Sequence, residues 1–338
     1  MSASTTSRFG RSWNLQVLTA PGASETQTAV DISNSAWDPE ALRITFDVWM
    51  PCFQDLWQAD IQIYNLDPAK IGFITQGAMV SLSAGYQADG SPAEIWRGLV
   101  FQPMFEREGT DFKLTLRCII GFLEKRFIST TVGPIATQWD IVQRMCQSAL
   151  PKPIPIAHLD PPSAFNGQQM PRSSTIFGTP NRFLQQIAAQ NGMVSYFDAD
   201  GLHMGKLQTP STTPDITYAP PLAAGQQPQA NESNITRSLI ETPQQTDFGV
   251  NFRVLLDPRP QTKLPPMLVK IDNTIIRQQP LQNLTNSSIL TQDGVYIVAG
   301  VRHFGDSRGN EWYTEITGIA GPQNQLAFLA KGAPNAGI

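Results

Sequence analysis

Hydrophobic and polar residues alternate with period two along much of this chain. From Leu42 to Met50, Leu42, Ile44, Phe46, Val48 and Met50 fall on one side, and Arg43, Thr45, Asp47 and Trp49 on the other. Successive side chains of a strand point to opposite faces, so this run predicts a strand with one buried face. Shorter versions follow at Asp60–Asn65, with Ile61 and Ile63, and at Val80, Leu82 and Ala84. Two more lie at Ile95–Gln102 and at Phe112, Leu114, Leu116 and Cys118. Gly98 marks a bulge or a close backbone approach. Turn residues separate the runs at Asn65-Leu66-Asp67-Pro68, Ala88-Asp89-Gly90 and Glu108-Gly109. Many short strands with regular turns predict an antiparallel barrel or sandwich over residues 12–128.

The period changes near Thr131. Trp139, Val142, Cys146 and Ala149 recur at steps of three and four, which predicts a helix over Thr137–Leu150. Pro151, Pro153 and Pro155 forbid its continuation. A loop rich in Pro, Ser, Gly and Gln follows, to Ser174. A second helix has Thr179 as cap, Pro180 at its first position and Gly192 just past its end. Its apolar face is Phe183, Leu184, Ile187 and Ala188. A hairpin comes next, Met193–Phe197 and Leu202–Leu207, turning at Asp198-Ala199-Asp200-Gly201. Residues 208–234 lack a clear period and carry at most one strand, at Asp215–Tyr218. Alternation returns at Val250–Leu256, Met267–Ile271, Val295–Val301 and Trp312–Ile319.

These shifts divide the chain into a first β-barrel domain (1–130), a small α+β module of two helices and a hairpin (131–210), and a linker (211–235). A second β-barrel domain (236–325) and a loose C-terminal tail (326–338) complete it. The expected fold class is mainly β with a small α+β module, built on two antiparallel barrels.

Composition narrows the function. Only 15% of the 338 residues are charged, against roughly 25% in an ordinary soluble domain. Low charge suits a surface largely covered by neighbours, and also a secreted β-protein. The net charge of −4 comes without a cluster of Lys and Arg among aromatics, which argues against a nucleic-acid grip. Cys52, Cys118 and Cys146 are odd in number and widely spaced, so they form neither a disulfide framework nor a metal knuckle. The polar stretch Met1–Gly10 lacks the apolar core of a signal peptide, and no apolar run is long enough to span a membrane. Folding in a reducing cytoplasm is therefore expected.

Reactive constellations are scarce. His158, His203 and His303 sit in three separate segments, none with a second ligand at metal-binding spacing. Ser195 has no nucleophile elbow around it. Glu106 and Glu108 flank Arg107 and face the same way, but as residues of a solvated turn rather than a carboxylate pair for hydrolysis. Asp198 and Asp200 belong to a hairpin tip, where Asp bonds its own backbone. Gly305-Asp306-Ser307-Arg308-Gly309-Asn310 reads as a hairpin connection with glycines at strained positions. No catalytic, cofactor or metal residues are expected.

Several stretches resemble the central baseplate hub proteins of contractile-tailed bacteriophages. They are Phe46 onward with Asp55–Leu66, which ends in Ile61-Gln62-Ile63-Tyr64-Asn65-Leu66, and then Ile74–Tyr86, Ile95–Val100 and Thr115–Cys118. The helix and hairpin of Thr179–Leu207 are similar to the small module of these hubs. Gly294–Val298 with His303–Thr314 looks like the end of their second, tail-tube-like barrel. The likeness covers about 250 residues and lies in order and spacing.

The resemblance implies a non-enzymatic virion protein, made in the host cytoplasm and placed in the tail baseplate. It implies a homotrimeric ring of six barrels, adapting a sixfold tail tube to a threefold spike and enclosing a channel that DNA crosses without specific binding. The implied partners are the central spike, the tail tube or its initiator, baseplate wedge proteins and the tape measure protein. Trp49 and Trp96, read as exposed strand aromatics, are the expected interface anchors. A tail-associated cell-wall hydrolase and a host-surface, carbohydrate-binding β-protein are the competing readings. A convergent carboxylate pair would mark the first, and an exposed aromatic platform the second.

Overall fold

A computed structural model of the chain describes residues 10–18, 28–34, 41–51, 57–72, 74–120, 126–167, 169–198, 200–207, 213–223, 226, 235–278, 290–291 and 293–320. The expected tail at 326–338, parts of the 211–235 linker, Cys52 and Ala199 lie outside them.

The first β region holds β1 (Arg11–Leu18), β2 (Thr28–Asn34), β3 (Ile44–Pro51), β4 (Gln58–Tyr64), β5 (Met79–Tyr86), β6 (Ala93–Glu108) and β7 (Asp111–Ile119). A one-turn helix, α1 (Pro68–Ile71), follows β4. All pairings within this region are antiparallel, in the order β3-β4-β7-β6-β5-β1-β2. Strand β3 buries Ile44, Phe46, Val48 and Met50, as its alternation predicts.

The module follows. It comprises β8 (Ile128–Val132), α2 (Gln138–Gln147), β9 (Ile156–Leu159), β10 (Ser174–Gly178), α3 (Pro180–Gln190), β11 (Val194–Phe197) and β12 (Leu202–Gly205). Thr137 caps α2 in a reciprocal box with Asp140, which satisfies backbone donors the helix cannot. Hydrogen bonds from Thr137 hold the Asp140 carboxyl below its usual range. Thr179 stands at the N-cap of α3, but its side chain makes no capping bond; Pro180 at the first position does the punctuating. The module has its own core, with Val142, Met145, Leu184 and Met204 among its members.

The last part holds β13 (Ile216–Tyr218), β14 (Ile235–Thr236), β15 (Gln244–Thr246), β16 (Gly249–Leu255), β17 (Leu268–Ile271), β18 (Val295–Asp306) and β19 (Trp312–Ile319). Here β13 pairs in parallel with both β14 and β17. Alternation alone does not distinguish such pairs from antiparallel ones.

Strand β18 joins the two β regions. Its start pairs with β17, and Gly300–Asp306 pair with β3 from Pro51 to Thr45. Its other edge carries β19 along nearly its whole length. Among the described residues the result is one fourteen-stranded sheet. The first region also curls back onto the β18–β19 hairpin. Arg11 donates to the carbonyls of Asp306, Gly309 and Asn310. Trp312 Nε1 donates to Gly85, and Tyr86 donates to the Trp312 carbonyl. One contiguous core therefore runs from Trp13 to Ile316 through both regions.

Gly305 in β18 is not in left-handed backbone. A Cβ there would lie 2.6 Å from the Trp312 ring and 2.8 Å from Phe46, so the glycine is set by packing rather than by turn strain.

The module is fixed to the sheet by its hairpin, both faces of which are buried. Phe197, Leu202 and Met204 enter the module core, while Val194 and Tyr196 pack with Leu207, Leu264 and Trp57. Trp57, Tyr196 and His203 form a continuous stack, with centroids 5.8 and 4.8 Å apart.

Candidate assembly surface

Trp96 is not exposed. It is 2% accessible and belongs to the shared core, which corrects the expectation of an interface anchor. Between β5 and β6 the register runs from Leu82 opposite Trp96 to Ser83 opposite Glu94, leaving Ile95 as an extra residue. That bulge turns both Ile95 and Trp96 inward, where strict alternation would send one of them out. Trp49 does lie on the outward side of β3, half-buried.

The outer face around Trp49 is a band of charge layered on aromatic rings. Asp47 accepts two bonds from Arg302, at 2.5 and 2.8 Å. Arg302 and Arg253 each lie 5.2 Å from the Phe304 centroid, and Phe304 meets Tyr313 edge-on at 5.7 Å. Arg253 reaches Glu241 at 2.7 Å. The band spans the β3–β18 seam, so it presents residues of both β regions together.

A second surface is the outer edge of β6 toward the turn of the β6–β7 hairpin, whose other strand β7 is flanked by β4 as far as Lys113. Strand β5 reaches β6 only as far as Leu99. Beyond Val100, β6 keeps β7 on one side and has no strand on the other among the described residues. Phe101 falls out of the ladder where the register shifts between Val100 and Gln102. Farther out, Pro103, Phe105 and Arg107 share a face with Leu116, Leu114 and Phe112. Phe105 and Phe112 stack at 5.6 Å and are 53% and 46% exposed. The opposite face carries Glu106 and Glu108, whose carboxylates lie 2.7 and 3.0 Å from Lys113 Nζ. Their hydrogen bonds push the Lys113 ammonium above its ordinary range. These two glutamates are thus paired with a cation in solvent rather than arranged across a cleft.

Asn65 fastens this hairpin to the sheet. It adopts left-handed backbone with φ 57°, which Asn tolerates better than most residues. Its Oδ1 accepts from Phe112 N at 3.0 Å, its Nδ2 donates to Asp111, and its own N–H bonds the Phe112 carbonyl at 2.7 Å. The Tyr64-Asn65-Leu66 element of the sequence therefore holds the turn end of the hairpin.

The histidines take structural places. His158 Nε2 lies 3.0 Å from Asp160, and His203 Nε2 lies 2.7 Å from Asp198. Asp198 also accepts from the backbone of Asp200 and Gly201, closing its turn. His303 is fully buried, with Nδ1 2.8 Å from Thr314 Oγ1; burial pulls its pKa down to about 4, so it is neutral. Burial pushes the Cys118 and Cys146 thiols up to about 12, which leaves them inert as nucleophiles. Among the described residues no group of three or more His, Cys, Asp or Glu could hold a metal, and no helix is long and apolar enough to cross a membrane. Ser195 is a buried strand residue opposite Met204.

No protein-family model and no curated protein matches the chain by sequence. Solved structures do match it. The 43 kDa tail protein of prophage MuSo2 from Shewanella oneidensis aligns over 93% of this chain and 99% of its own, with 11% identity and a TM-score of 0.54. A tail protein from Neisseria meningitidis MC58 aligns over 92% and 97%, with 12% identity and a TM-score of 0.52. Over nearly its whole length, the chain has the fold of phage tail proteins.

Proposed function

We propose that this protein is a structural component of a phage-type tail and acts as its baseplate hub. Three copies close into a ring, adapt a sixfold tube to a threefold central spike, and leave a channel through which DNA passes without specific contacts. The protein resides in the virion tail after assembly in the host cytoplasm and catalyses no reaction. Its partners are the spike on one side, the tube or its initiator on the other, wedge proteins around it and the tape measure protein. The two β regions stand as the two barrel domains, with the module between them.

The observation that carries this reading is the end-to-end match in fold to tail proteins, 93% of this chain onto 99% of the other. The surfaces accord with it. A closed ring needs two different patches on each copy that meet heterologously, and the outer band at the seam and the free edge of β6 are the two proposed for it. Trp49 remains the proposed anchor on the first.

The test is the mass of the purified chain, alone and with a co-expressed spike protein, by light scattering. A threefold mass in either preparation is expected, and Trp49→Ala reduces it. A monomer in both, with no spike bound, overturns the proposal.

A further inference from the structure

The module carries a sheet edge of a different kind from that of β6. Among the described residues, β10 pairs with β8 alone and makes no backbone bond to any other segment. A row of unpaired N–H and C=O groups is a template for another strand, and edges are normally protected by charge, proline or a bulge. The outer edge of β6 has all three: Pro103, the run Glu106-Arg107-Glu108, and the register shift at Phe101. Strand β10, Ser174-Thr175-Ile176-Phe177-Gly178, has none of them, and its register with β8 is regular.

Beside this edge lies an apolar patch. Phe127 and Leu150 exchange both backbone bonds and so share a face. Phe177 stands opposite Ser129, two places along that same face, and meets Phe127 edge-on at 4.6 Å. Leu150 and Phe177 are 58% and 68% exposed. Ile128 and Ile176 point the other way, into the module core. The surrounding surface is cationic. Residues 126–190 carry five cationic side chains and two carboxylates, in a chain of net charge −4. Both carboxylates are engaged, Asp140 with Thr137 and Asp160 with His158 and the Lys206 amide. Arg144, Lys152, Arg172 and Arg182 are exposed and make no ion pair among the described residues. Arg126 bonds the carbonyls of Lys152 and Pro153, which places Arg126 and Lys152 at the Phe127–Leu150 border of the patch.

We infer that the β10 edge and the Phe127–Phe177 patch form a docking site for an extended, acidic segment of a partner protein. The segment adds to β10 as a strand, sets alternate apolar side chains on the two rings, and presents carboxylates to the cations around them. Only a polypeptide can continue the ladder. A second copy of the same edge is opposed, because two modules of like charge would face each other. The inference depends neither on ring closure nor on a role in a tail.

The test measures binding of a fluorescein-labelled nonapeptide of alternating Asp and Val to the full chain, by fluorescence anisotropy at low and high salt. Saturable binding that weakens with salt is expected, and none of the matching Lys and Val peptide. Affinity should be about tenfold lower in Phe177→Ser, whose ring is the most exposed of the patch. It should be about threefold lower in Lys152→Glu, a surface change that keeps the reading open if Phe177→Ser does not fold. Of two peptide versions N-methylated at alternate amides, one should lose binding, because only one set of N–H groups faces β10. No saturable binding of the acidic peptide, unchanged affinity in either variant, or retained binding of both N-methylated forms overturns the site. So does binding of phosphatidylserine vesicles without the peptide, or loss of self-assembled mass in Phe177→Ser with no peptide bound by the unaltered chain.

Discussion

Acid should weaken this protein through one side chain. His303 lies in β18 between Val48 of β3 and Thr314 of β19, with no accessible surface. Burial holds its pKa at about 4, with a smaller opposing pull from Asp257, against an unfolded value near 6.5. Above pH 6.5 both states are neutral and the group contributes no pH dependence. Between pH 6.5 and 4 the unfolded chain binds a proton that the folded chain refuses, so stability falls as pH falls. A gap of about 2.5 units at about 1.36 kcal/mol each amounts to about 3 kcal/mol, most of it lost by pH 4 and the rest just below. His303→Gln removes this proton and leaves the other titrating groups in place. Urea unfolding of both proteins at fixed concentration, from pH 7.5 to 4, isolates the difference. At pH 7.5 the wild type should be the more stable, through its bond to Thr314. That advantage should shrink by about 3 kcal/mol on acidification. A wild-type advantage that stays constant across the range would refute the assignment of His303 as a buried neutral group.

Other expectations follow from single contacts. Asp257 is 2% exposed and, although burial alone would raise its pKa, bonds from Arg259 hold the carboxyl below its usual range. Arg259→Ala should cost about 2–4 kcal/mol in denaturant unfolding, by leaving a buried charge with less support. Trp312→Ala should cost about 3–5 kcal/mol and lower the single melting transition of the sheet as a whole, because this ring contacts Phe46 and Gly85 as well as its own hairpin. Asn65→Gly keeps the left-handed backbone and loses the side-chain bonds, so faster amide exchange at Asp111 and Phe112 with little global change is expected; unchanged exchange would count against the staple. Phe105→Ser with Phe112→Ser should leave monomer stability within about 1 kcal/mol, since both rings are exposed. The same pair should lower the assembled mass, as light scattering would reveal.

Much of this architecture is legible in the sequence where the cause is local. The alternation at Leu42–Met50, the helix start at Thr137, Pro180 at the first position of α3 and the Asp198–Gly201 turn act over a few residues, and each lies where its pattern predicts, although Thr179 makes no capping bond. Features set by distant partners were not legible. Nothing local tells that β18 will pair with β3. Pro103 and the charged run Glu106-Arg107-Glu108 read as the end of a strand, yet β7 carries β6 on to Glu108. The burial of Trp96 depended on one extra residue opposite Leu82 and Ser83. His203 and His303 lie 100 positions apart and carry no motif, so nothing local tells that the packing of the module hairpin brings them to the lining of one cavity.

The ladder between β3 and β18 also bears on synthesis. Asp47 and Arg302, which pair diagonally across it, are 255 residues apart. While the ribosome works through the module and the linker, β3 has one edge without its final partner. Such an edge invites pairing with whatever strand is near, including that of a neighbouring nascent chain. Maturation of the first region must therefore await translation of residues 295–306, and fragments ending before residue 295 should be prone to aggregate however well their own strands are formed.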